Sequence, residues 1–132
     1  MLDRAPVQSG VLDAADSNGV GFIAFSPLAQ GLLTNRYLHG IPGNSRAAQD
    51  RFLKADTITP DVIRRTRELN DIAASRGQSL AQMAMSWVLS DKRVTSVIAG
   101  CSSIDQLADT IAAVRNTEFT PDELALIDNA IG

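Results

Sequence analysis

Val20-Gly21-Phe22-Ile23-Ala24-Phe25, entered through Asn18-Gly19 and closed by Ser26-Pro27, is the stretch on which the fold turns. It is apolar without alternation, the pattern of a strand covered on both faces, as in a parallel sheet. Upstream, Leu12 to Ser17 reads as the end of a short helix, with Asn18 and Gly19 as a left-handed stop. Downstream, Leu28 to about Ile58 is irregular and rich in Gly, Pro, Asn and Ser. Loops of that length are uncommon unless they serve a function or are disordered.

Beyond the loop, the start and stop signals are local and clear. Thr59-Pro60-Asp61 opens a helix with threonine as N-cap and proline at the first helical position, where its missing N–H costs nothing. Val62, Thr66, Leu69, Ile72 and Ala73 form its inward stripe, and Gly77 ends it. Ser79 with Gln82 makes a capping box for a second, largely buried helix through Leu89. Val94-Thr95-Ser96-Val97-Ile98-Ala99 is a β-branched strand that breaks at Gly100, and Ser103 with Gln106 caps a helix to about Val114. Thr120-Pro121-Asp122-Glu123 opens the last helix with another capping box. Strand, loop, two helices, strand, two helices is βα alternation, which calls for a parallel sheet. Two strands alone leave unpaired edges, so neighbouring strands are expected to complete the sheet.

Composition narrows the function. The 132 residues are 45% apolar and 20% charged, as in an ordinary globular chain, and the net charge of −3 argues against DNA and anionic membranes as partners. Arg64, Arg65 and Arg67 stand beside Glu68 and Asp71, as on a solvated, ion-paired helix face. A helix-turn-helix through Arg76-Gly77-Gln78 fails because the second helix offers Ala, Met, Trp and Leu where base reading needs polar side chains. One cysteine, Cys101, and one histidine, His39, leave no metal cluster to find. With no apolar run able to span a bilayer and no signal peptide, a cytoplasmic location is the expectation.

Gly19 to Thr34, continued by Tyr37, Gly40, Ile41, Pro42, Ser45 and Arg46, resembles the seventh strand and following loop of aldo-keto reductases. Gly77 to Ala84, Trp87 and Val94 to Gly100 match that family's run into its eighth strand. The resemblance covers essentially the whole chain and is nearest to the branch of glyceraldehyde-phosphate reductases and potassium-channel β subunits. It implies an α/β fold, the C-terminal part of a (β/α)8 TIM barrel that typically needs ~250 residues, with two parallel strands and flanking helices here. Residues 1–132 are then one incomplete domain, and Met1 an internal methionine of the family pattern serving as a start.

The resemblance further implies NADPH-dependent reduction of aldehydes and ketones to alcohols, with a small carbonyl compound as substrate of the full-length form. The family's catalytic tyrosine, lysine, aspartate and histidine fall on segments upstream of Met1, so no catalytic residue is assigned here and the chain alone is expected to be inactive. Tyr37 and His39 are read as a packing tyrosine and a solvated histidine. Ser26, Pro27, Leu28, Ala29 and Gln30 correspond to the loop along the pyrophosphate, and Arg36 stands where relatives usually have lysine. Arg46, Gly100, Ser102 and Gln106 correspond to residues at the 2′-phosphate end. Asp109 and Thr110 fall where the family commonly has a Glu-Asn pair reaching the adenine, and Thr110 departs from that pattern. Cys101 is read as a small buried residue. A non-catalytic nucleotide-sensing subunit and an inactive fragment are the alternatives. Uncovered strand faces imply self-association, and so a possible homo-oligomer.

Overall fold

A computed structural model describes residues 1–38 and 57–132. Two short helices, α1 (Ala5–Gln8) and α2 (Val11–Ser17), lead into strand β1 (Phe22–Phe25). Two single 3₁₀ turns follow, Ala29–Gly31 and Asn35–Tyr37. Then come α3 (Pro60–Ser75), α4 (Leu80–Ser90), strand β2 (Val94–Ile98), α5 (Ile104–Ala112), a 3₁₀ turn at Ala113–Arg115 and α6 (Pro121–Ile131). His39 and Arg46 lie outside the described residues.

The helix starts follow their caps. Thr59, Ser79, Ser103 and Thr120 each accept a hydrogen bond from the backbone N–H three residues on, and Ser79–Gln82 and Thr120–Glu123 close full capping boxes. Gly77, at φ +68, takes the left-handed position just past α3. The α1 turn has no counterpart in the sequence reading. Pro6 stands in its first turn, and the Asp3 carboxylate accepts from the Ala5 N–H.

Strands β1 and β2 are parallel neighbours, with Ile23 beside Ser96, Ala24 beside Val97 and Phe25 beside Ile98. The register slips between Phe22 and Ile23, leaving Thr95 unmatched on β2. Its Oγ1 accepts from the Phe22 N–H at 3.1 Å. A Cβ on Gly21 would lie 3.0 Å from the same oxygen, so this close approach is what glycine permits there.

The core sits on the helical side of the sheet. Leu69 and Ala73 of α3, Leu80, Met83 and Ala84 of α4, and Ile127, Ala130 and Ile131 of α6 pack together with Leu33 and Met1. Of the expected α3 stripe, Thr66, Leu69 and Ala73 are buried, while Val62 and Ile72 are half-buried. The sheet differs from the expectation of cover on both faces. Ile23, Phe25 and Ile98 are exposed, Phe25 to 79%, because no element of the described chain lies over that face. A second apolar surface runs along α5 and the 3₁₀ turn after it, where Ile104, Leu107 and Ile111 and then Val114 are all exposed.

Arg64 pairs with Asp61 and Glu68, and Arg65 with Asp61, which is the expected ion-paired face. Arg67 instead donates Nε to the Leu38 carbonyl at 2.9 Å. No helix among the described residues is long and apolar enough to cross a membrane.

Candidate functional site

Where β1 and β2 end, the chain opens a cleft of about 710 Å³. One wall is the loop after β1. Ser26, Ala29 and Gln30 all take positive φ there, at 52°, 46° and 59°, a costly conformation for residues with a Cβ. Local bonds hold it: Ala29 N–H donates to Ser26 O, Gly31 N–H to Leu28 O, and Leu33 N–H to Leu28 O. The Thr34 hydroxyl donates to Gly31 O at 2.7 Å and accepts from the Arg36 N–H, which fixes the turn bearing Arg36.

The opposite wall is the turn from β2 into α5. Gly100, Cys101 and Ser102 line the cleft, and Ser103 caps the helix. Gln106 does not complete a box on Ser103. Its Oε1 accepts instead from both the N–H (2.9 Å) and the hydroxyl (3.0 Å) of Ser102. Its Nε2 has no hydrogen-bond partner among the described residues, and neither do the backbone N–H groups of Ser103, Ile104 and Asp105 at the helix start. Ser79 and Ala81, at the start of α4, border the same space, so two helix N-termini meet there.

Ten of the twelve residues expected at the cofactor line this cleft: Ser26, Pro27, Leu28, Gln30, Arg36, Gly100, Ser102, Gln106, Asp109 and Thr110. Ala29 does not. It borders a second, apolar groove of about 690 Å³ along β1, between Met1–Val7 and Trp87, which shares Phe25, Ser26, Pro27 and Gln30 with the cleft. Arg46 falls outside the described residues. Ser79 is a lining residue that sequence reasoning had treated only as a cap, because its approach to α5 depends on pairing across the fold.

The electrostatics favour an anion at one end. Arg36 is exposed and its guanidinium has no partner among the described residues. Asp109 is the sole carboxylate of the lining among the described residues. It accepts from Gln82 Nε2 at 2.6 Å and from the Ser79 hydroxyl at 3.1 Å. Cys101 is half-buried, not fully buried as expected, because it faces the cleft; its Sγ lies 3.6 Å from Thr110 Oγ1. Tyr37 is 1% exposed, packed with Ile58, Leu32 and Ile63. Its hydroxyl has no partner among the described residues. That is a packing side chain, set behind Gly31 and not itself part of the lining of the cleft.

Comparison with known proteins gives the family and the fold. The chain is 48% identical over 135 residues to L-glyceraldehyde 3-phosphate reductase of Escherichia coli O157:H7, covering 99% of this chain and 39% of the relative. A protein named "Probable voltage-gated potassium channel subunit beta" of Oryza sativa subsp. japonica is 35% identical over 86% of this chain and 36% of its own length. The chain thus spans well under half the length of these relatives. Among solved structures, a thermostable aldo-keto reductase in complex with the inhibitor epalrestat superposes with a TM-score of 0.65 at 22% identity, over 97% of this chain and 36% of that one. The fold is accordingly part of a TIM barrel. The model of the aldo/keto reductase family matches residues 1–131, and the chain belongs to that family.

Proposed function

We propose that this chain is the cofactor-binding, C-terminal part of an NADPH-dependent oxidoreductase that reduces aldehydes or ketones to alcohols. The carrying observation is the cleft itself, where the loop after β1, Arg36 and the start of α5 converge. Its free donors fit a phosphorylated dinucleotide. Gln106 Nε2, the first N–H groups of α5 and the Arg36 guanidinium all suit phosphate oxygens, and none is consumed by a described residue. Ser26 to Gln30, pinned in an open conformation, offers backbone to a pyrophosphate, and Arg46 is assigned the 2′-phosphate by resemblance. NADPH, when bound, supplies hydride to a carbonyl carbon.

The domain proposal accompanies this one. Residues 1–132 form an incomplete barrel, and further strands would cover Ile23, Phe25 and Ile98 and complete the substrate pocket. Catalytic proton transfer belongs to those further segments, and a cytoplasmic location and a small carbonyl substrate are proposed with them. A nucleotide-sensing role is the second reading, favoured by relatives named as channel subunits and by a cleft that needs no catalytic group to bind a nucleotide.

The test is titration with NADPH, followed by nicotinamide fluorescence, on the chain alone and then mixed with the upstream fragment of a related reductase. Binding in either setting, weakened about tenfold or more by Arg36→Ala or Gln106→Ala, supports the proposal. Saturation by the chain alone places the nucleotide site in this segment, whereas a need for the fragment makes it a property of the closed barrel. No binding in either setting refutes it.

A further inference from the structure

Asp109 does something the resemblance does not assign. Ser79 and Gln82 close the capping box of α4: the Gln82 N–H donates to Ser79 Oγ, and Gln82 Oε1 accepts from the Ser79 N–H, both at 3.1 Å. Asp109, in the second turn of α5, adds a third member. Its Oδ1 accepts from Gln82 Nε2 at 2.6 Å and its Oδ2 from the Ser79 hydroxyl at 3.1 Å. The hydroxyl proton of Ser79 and one amide proton of Gln82 are therefore both directed at one carboxylate. The box at Thr120–Glu123 has no carboxylate from another helix in this role. Ser103, the cap of α5, has no closed box at all.

We infer that Asp109 is a positioning residue, fastening the N-terminus of α4 to α5 at the wall of the cleft, and that it does not read the base of the nucleotide. The second clause rests on the nucleotide reading proposed above. Thr110, the neighbouring residue expected at the base, has its hydroxyl turned to Cys101 Sγ at 3.6 Å. To reach a base edge, Asp109 would surrender a charge-assisted hydrogen bond that orders the cap. Recognition then falls to the phosphates and sugars, and the chain tolerates a changed purine.

Two measurements test this. The first titrates the unaltered chain, with the upstream fragment where needed, using NADPH and its hypoxanthine analogue, in which the 6-amino donor becomes a carbonyl acceptor. Dissociation constants within twofold support the inference; a tenfold or greater preference for NADPH overturns it. The second follows amide hydrogen exchange of Gln82 and Met83, whose N–H groups bond Ser79 Oγ and Ser79 O. Asp109→Ala should speed their exchange at least tenfold, and Asp109→Asn, which keeps an acceptor for Gln82 and can still pair with Ser79, should restore most of the protection. Unchanged exchange in Asp109→Ala overturns the fastening role. If neither nucleotide binds, the proposed function falls while exchange still decides the positioning role; if Asp109→Ala does not fold, the analogue titration and the Asn variant decide it.

Discussion

Replacing Arg76 with methionine should cost this chain about 3 kcal/mol of stability, more than any surface charge would. Arg76 ends α3, yet its side chain is 2% exposed. Nη1 pairs with Glu123 at 2.6 Å, Nε donates to Gln78 Oε1 at 2.9 Å, and Nη2 donates to Glu118 O at 2.9 Å. The guanidinium also lies 3.7 Å from the centre of the Phe119 ring. Hydrogen bonds to a charged group are worth roughly 1.5–3 kcal/mol each, and a desolvated cation–π contact about 1–2 kcal/mol. These do not add, since they share one group, and methionine restores some packing on Phe119, which brings the expected loss to about 3 kcal/mol. For a chain of this size that is a fall of roughly 10 °C in Tm. Urea and thermal unfolding followed by far-ultraviolet circular dichroism measure it. The consequence reaches the cleft, because Gln78 also donates to Ser86 Oγ and to Asn116 O and so sets the turn that presents Ser79. A loss below about 1 kcal/mol would refute the reasoning and class Arg76 with solvated ion pairs.

Acidification should act through the same region. The Thr120 N–H, and after it Arg76, hold the Glu123 carboxyl below the ordinary glutamate range. Its folded pKa is depressed, so its contribution is present above the unfolded value of about 4.3 and lost as pH falls through the folded one. Stability against urea measured from pH 7 to pH 3 should therefore drop below about pH 4.3, and by less in Glu123→Gln. At Gln30, held at φ 59°, glycine should be neutral or stabilising by up to about 1 kcal/mol, while valine should cost about 1–2 kcal/mol in thermal unfolding. Phe25→Ser and Ile98→Ser should each cost under about 0.5 kcal/mol while reducing binding of a hydrophobic dye, since both side chains are exposed. A cost near 3 kcal/mol would instead show that the sheet face is covered in solution by another copy.

Features set by neighbours in sequence were legible before the fold. The caps at Thr59, Ser79, Ser103 and Thr120 depend on residues within one turn, and the β-branched run around Val97 declares its strand alone. Most of the cleft was legible through resemblance, because Ser26 to Gln30 and Gly100 to Gln106 keep recognisable spacing. What escaped depends on distant partners. The bulge at Thr95 arises from pairing with Phe22, 73 residues away, and the bonds from Asp109 to Ser79 and Gln82 span 30 and 27 residues. Ala29 borders the other groove, within a loop where three non-glycine residues take positive φ, a conformation that residue types alone do not announce. The apolar run of β1 suggested cover on both faces, and among the described residues one face, with Ile23 and Phe25, has none.

The most direct measurement of the central claim is a ¹H–¹⁵N correlation spectrum of the labelled chain during addition of NADPH, with the unlabelled upstream fragment present. Shifts confined to the amides of Ser26, Leu28 to Gln30, Arg36 and Gly100 to Gln106 are the predicted result. Shifts that avoid both of those segments, or fall mainly along β1 and Met1–Val7 beside the second groove, would contradict it.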